Sequence, residues 1–206
     1  MNAIIKFGED VEGYDIPVLN EREIRATAGI LFLMMFISIM IVIFEDNYLM
    51  LKYAIVIFLT DFLIRVFVNP KYSPTLIIGR LIVKNQVPEY VGAQQKKFAW
   101  TIGVVLSATM FILIPVFNLD NPITTLLCYI CLIFLFFETA FGICIGCKIY
   151  SWVYKSKAQY CPGEVCDVNS RQAIQRTSNF QKFIVLGFIA YIFLFGFLFN
   201  DYFLAV

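Results

Sequence analysis

The chain has 206 residues, of which 60% are apolar and 22 are phenylalanine, and its mean hydropathy is +0.78. Only 15% are charged, with a net charge of +1, against about 25% charged in a typical soluble domain. This balance excludes a disordered chain, a nucleic-acid-binding arm and an ordinary soluble enzyme.

Histidine is absent. The commonest catalytic base, the commonest transition-metal ligand and the physiological pH switch are therefore missing. Any chemistry must rest on cysteine, carboxylates, lysine, arginine or tyrosine.

The first 25 residues are polar and acidic, with Glu9, Asp10, Glu12, Asp15, Glu21 and Glu23. No basic stretch precedes an apolar core there, so no cleavable signal peptide is expected. Asn20 followed by Glu23 reads as a helix start of capping-box type. Five apolar runs follow, at 26–44, 48–68, 98–117, 123–150 and 183–199. Each is close to the roughly 20 residues that span a bilayer. The fourth is long enough to protrude or tilt. Pro115 is expected to kink or end the third. Very short connections after the first and third runs read as tight helical hairpins.

The connection at 69–97 contains Ser73-Pro74, a good N-cap and first-turn pair. A helix from there would carry Ile77, Ile78, Leu81 and Ile82 on one face, with Arg80 and Lys84 on another. It is too short to cross a membrane. It would lie in the inner leaflet, with Arg80 and Lys84 toward phosphates, or pack beneath the bundle.

The fold expected is an all-α polytopic membrane helix bundle of about five transmembrane helices plus one short interfacial helix. Residues 1–25 form an N-terminal segment and 26–206 a single membrane domain. Between the apolar runs, lysine and arginine occur at the N-terminus and in the connections 69–97 and 148–182, and the first and third connections and the C-terminal tail hold none. The positive-inside rule then makes those parts cytoplasmic and puts the C-terminus outside.

Cys144 and Cys147 lie at the cytoplasmic end of the fourth run, spaced so that helical thiols can meet. Cys161 and Cys166 follow around a Pro-Gly turn. Three readings fit. The four thiolates could hold zinc or an iron–sulfur cluster. Cys144 and Cys147 could be a redox or sulfur-accepting dithiol, with Lys148, Lys155 and Lys157 favouring thiolate. Small cysteines and the Gly142–Gly146 spacing could merely allow close helix packing. Cys128 and Cys131 form a second C-x-x-C near the outer end of the same run, read as buried packing residues. On one continuous helix Cys144 and Cys147 would face away from Cys131, about 20 Å along the axis, too far for direct exchange.

Asp61, Arg65 and Glu138 are charges inside apolar runs, all placed in the inner third of the bilayer. Burial there is costly, so they are expected to face one another, with Glu138 protonated or bonded to Arg65. They could form a proton or substrate site, or an ion pair that fixes helix register. Lys52 sits near the outer surface and can snorkel.

Several of these signatures occur in order: Asn20-Glu21 with Arg25, Asp61-Phe62 with Arg65, Asn69-Pro70 with Ser73-Pro74, and Lys97-Phe98-Ala99 before Ile102-Gly103. Glu138 with Gly142, Cys144, Gly146, Cys147 and Tyr150 completes the set. Over 20–150 the chain resembles a bacterial integral-membrane family, domain of unknown function four-three-nine-five. The resemblance implies a multi-pass bacterial inner-membrane protein and brings no reaction with it.

Three functional expectations result. One is thiol redox or sulfane-sulfur handling at Cys144 and Cys147 with a soluble cytoplasmic thiol or sulfur-transfer protein. Another is a small transporter or channel built on Asp61, Arg65 and Glu138. The third is a membrane scaffold pinned by metal at Cys144, Cys147, Cys161 and Cys166. The lipid bilayer is the expected surrounding, and no nucleic acid is expected as a partner.

Overall fold

A computed structural model describes residues 7–119, 121–154 and 179–204. The chain divides into two compact units, 1–166 and 167–206. Unit one contains strand β1 (Val18–Asn20), helices α1 (Glu21–Glu45), α2 (Leu49–Leu63) and α3 (Pro74–Val83), strand β2 (Tyr90–Gly92), and helices α4 (Ala93–Phe111), α5 (Pro122–Phe141) and α6 (Ile145–Tyr154). The described part of unit two is α7 (Asn179–Leu204), which contains the fifth apolar run.

The fold is an all-α bundle with one small addition. β1 and β2 pair antiparallel with Leu19 opposite Val91. This ribbon was not foreseen, because each strand is only three residues long and lies in a polar segment. It sets the starts of two helices, since β1 runs directly into α1 and β2 into α4.

Caps explain the helix boundaries. The Asn20 side chain accepts from the Arg22 N–H and donates to Glu23 Oε1, so the expected start is present. Ser73 accepts from the Leu76 N–H, with Pro74 in the first turn of α3. Asn121 and Thr124 form a reciprocal capping box with Pro122 in the first turn of α5. At the other end of α1, Asp46 is left-handed (φ 53°) and returns its N–H to Val42. Both α2 and α4 run on into wider, π-type turns, at Ile64–Val68 and Ile112–Val116. The second contains Pro115, whose missing N–H and bulky ring an α-turn would not accommodate.

Within unit one, α1 packs against α3 and α5, and α2 against α4. Leu31, Met35, Ile55, Phe58, Trp100 and Met110 fill the interior. The outward faces are apolar as well, with Leu33, Ile37, Val105 and Ile133 exposed. Among the described residues, Glu21–Glu45, Ala93–Val116 and Pro122–Phe141 are long and apolar enough to cross a membrane. A surface so apolar along helices of that length is suited to lipid rather than water.

α3 packs closely on α1 and leaves an apolar face exposed. Gly79 lets it approach α1 so closely that a Cβ would strike Thr27 Oγ1 and the Glu23 carbonyl. Thr75, Leu76 and Val83 are buried, while Ile77, Ile78, Leu81 and Ile82 point outward. Arg80 is engaged by Glu23 at 3.1 Å, so its guanidinium already has an anionic partner. Lys52 reaches Asn118 across the opposite end of the bundle.

The fourth apolar run is not one helix. α5 stops at Phe141 and α6 starts at Ile145. This corrects the expectation of a continuous helix over 123–150.

Candidate functional site

The break begins at Gly142. Its backbone is left-handed (φ 64°), and its N–H returns to the Glu138 and Phe137 carbonyls. The next N–H, from Ile143, also bonds to Phe137, at 3.0 Å. A left-handed residue whose N–H returns to the carbonyl four residues back is an αL-type helix end, which favours glycine at that position. Arg25 of α1 lies over Gly142 and donates to the Thr139 carbonyl at 3.3 Å. A cation there complements the negative end of α5.

Cys144 opens the next helix. Its carbonyl accepts from Lys148 at 3.2 Å, and its Sγ accepts from the Cys147 N–H at 3.3 Å. It is therefore placed like an N-cap, with sulfur as the capping atom. α6 rests on α4, where Gly146 sits so near Ala99 that a Cβ would come within 2.5 Å of the alanine Cβ. The Phe98 and Tyr150 rings meet edge-on at 5.5 Å. Gly142 and Gly146 thus do separate jobs, one ending a helix and the other seating the next. Both thiols are buried, at 7% and 5% exposure.

Lys96 lies beside this pair. It is completely buried, with Nζ 2.7 Å from Glu21 Oε2 and 2.6 Å from Glu138 Oε1. Its charge also acts on both Cys144 and Cys147. One ammonium therefore serves two carboxylates from different helices. Glu21 Oε1 is buried with no hydrogen-bond partner among the described residues. The hydrogen bond shared with Cys147, followed by burial, pushes the Cys144 thiol above its ordinary range, and Lys96 opposes them.

Asp61 and Arg65 form a separate, closed cluster. Their side chains pair at 2.6 Å and both are 2% exposed. Asp61 accepts from Ser73 Oγ and Thr75 Oγ1, each at 2.7 Å, and from the Thr75 N–H at 3.2 Å. Arg65 donates to Thr75 Oγ1 and Ser73 Oγ, and its guanidinium lies over the rings of Phe62 and Trp100. The pair binds the end of α2 to the first turn of α3. The structure thus divides the expected three-charge cluster: Glu138 bonds Lys96 instead of Arg65.

Sequence reasoning counted Lys96 as a loop charge. The apolar run begins at Phe98, but the ribbon starts α4 at Ala93 and draws Lys96 into the bundle. Glu21 was likewise assigned to the polar N-terminus. The available signal was Glu138 itself, a carboxylate inside an apolar run that requires a cation.

The helix break also changes how the cysteines are arranged. Cys131, Glu138 and Cys144 line one narrow cleft of about 50 Å³, together with Phe58, Phe62 and Trp100. The expected opposition of Cys144 to Cys131 assumed a continuous helix, and Gly142 removes that condition. Cys161 and Cys166, the other two proposed metal ligands, lie outside the described residues, as do Lys155 and Lys157. Among the described residues, no three of Cys, Asp or Glu are arranged to hold a metal ion.

The family described as Domain of unknown function (DUF4395) matches residues 19–155. The chain belongs to this family. No curated protein and no solved structure matches it. The DUF4395 match includes Glu21, Asp61, Arg65, Lys96, Glu138, Cys144 and Cys147, and ends before Cys161 and α7.

Proposed function

We propose that this DUF4395 member is a multi-pass bacterial inner-membrane protein whose Cys144–Cys147 pair exchanges disulfides with a soluble cytoplasmic thiol protein. One observation carries the reading: Cys144 caps α6 through its sulfur, with Cys147 one turn away and the charge of the buried Lys96 acting on both. A helix N-terminus and an ammonium both stabilise a thiolate as it forms. The Lys and Arg distribution supports a cytoplasmic N-terminus and a cytoplasmic position for the pair.

In the proposed step, Cys144 loses its proton and attacks a disulfide of the partner. One partner sulfur leaves as a thiolate and takes up a proton. Cys147 then loses its proton and attacks Cys144 Sγ, which releases the second partner sulfur as a thiol. The partner is reduced by two electrons and gains two protons. The chain is left with a Cys144–Cys147 disulfide. Because both sulfurs are buried, docking requires α6 to move on its three-residue link, Gly142 to Cys144.

The protein should be equilibrated in glutathione redox buffers and its thiols mapped by alkylation and mass spectrometry. We expect a two-electron transition joining Cys144 to Cys147, with a midpoint between about −270 and −180 mV. Cys144→Ala and Cys147→Ala should each abolish it. A pair that stays reduced in fully oxidised glutathione contradicts the proposal. In the reduced protein, alkylation of Cys144 should be slow at neutral pH and rise roughly tenfold per pH unit, because the hydrogen bond with Cys147 and then burial favour the thiol.

A further inference from the structure

We propose that Cys128 and Cys131 form a second dithiol, which exchanges its disulfide with Cys144 and Cys147 inside the bundle. The relay rests on the dithiol reading of Cys144 and Cys147 and extends it into the membrane interior.

Cys128, Cys131, Cys144 and Cys147 are all buried thiols with no disulfide among them. Cys131 and Cys144 line the same cleft, although they lie on either side of the helix break. At about 50 Å³ the cleft has room for only one or two waters. Cys128 stands one turn from Cys131 and borders a second cavity, of about 240 Å³, shared with Tyr48, Thr124 and Tyr129 near the opposite end of the bundle. The α5 pair thus lies between two cavities, with one cysteine lining each. Mere packing would account for the burial of Cys128 and Cys131. It does not account for a cysteine from each pair lining one cleft.

The exchange is balanced within the chain. Starting from a Cys144–Cys147 disulfide, Cys131 loses its proton and attacks Cys144 Sγ. The Cys144–Cys147 bond breaks, and Cys147 leaves as a thiolate and takes that proton. Cys128 then loses its proton and attacks Cys131 Sγ. The Cys131–Cys144 bond breaks, and Cys144 is protonated. The products are a Cys128–Cys131 disulfide and two thiols at Cys144 and Cys147. No outside oxidant is consumed, and the same steps run in reverse.

The intermediate can be trapped. Full-length Cys128→Ala/Cys147→Ala protein keeps Cys131 and Cys144 and lacks both resolving partners. Diamide treatment in membranes, followed by peptide mass spectrometry, should show a Cys131–Cys144 disulfide. Cys128→Ala/Cys131→Ala serves as the control and should close Cys144–Cys147. If the control closes and Cys131–Cys144 does not form, the relay is overturned while the dithiol proposal stands. If neither forms, both fall. A second measurement uses the native cysteines. After limited diamide oxidation of the unaltered chain, the disulfide should appear at both pairs. In Cys144→Ala, closure of Cys128–Cys131 should be roughly tenfold slower. An unchanged rate there contradicts the relay.

Discussion

Lys96→Met is expected to reduce the yield of folded protein severely. The substitution preserves much of the side-chain volume but leaves Glu21 and Glu138 without their shared cation. Breaking a buried ion pair from one side costs about 3–5 kcal/mol, a large part of the 5–15 kcal/mol that holds a typical domain together. Thermal unfolding of detergent-solubilised protein should show a large fall in midpoint. The triple variant Lys96→Met/Glu21→Gln/Glu138→Gln removes the uncompensated charge and should recover most of the loss. If Lys96→Met alone behaves like the unaltered chain, Lys96 does not hold the three helices together.

The second large effect is expected at Asp61. Asp61→Ala removes the carboxylate that accepts from Ser73 and Thr75 and neutralises Arg65. The guanidinium then remains buried against Phe62 and Trp100 with only neutral hydroxyl partners. The cost is again about 3–5 kcal/mol. Proteolysis should increase between α2 and α3, because the start of α3 loses its anchor. Asp61→Leu/Arg65→Met should be milder than Asp61→Ala alone, since no unpaired charge is left behind. If the double variant is the worse one, the pair has a role beyond joining α2 to α3.

Much of the fold was legible because the bilayer imposes a length on apolar runs. The first and third runs match α1 and α4 with its π-type extension, and Ser73-Pro74 starts α3 as expected. The break at Gly142 was not legible from hydropathy, since apolar residues continue across it. What ends α5 is backbone geometry at a glycine and the guanidinium of Arg25, which lies more than a hundred residues away in sequence. The charge cluster was half legible. Asp61 and Arg65 are four residues apart on one helix and pair as spacing dictates. Glu138, Lys96 and Glu21 lie on three helices, so their meeting depends on packing. The same distinction applies to the cysteines. Spacing brings Cys144 to Cys147, whereas the path of the chain after Gly142 brings Cys144 to the cleft of Cys131.

The account turns on Cys144 and Cys147 being a working dithiol. The most direct test is zinc and iron content per chain in anaerobically purified protein, with thiols at each cysteine mapped before and after mild oxidation. The account predicts no stoichiometric metal, with Cys144 and Cys147 open to alkylation under denaturing conditions when reduced and protected together after oxidation. Stoichiometric zinc or iron, removed only together with exposure of these two thiols, would contradict it and make the pair a metal site.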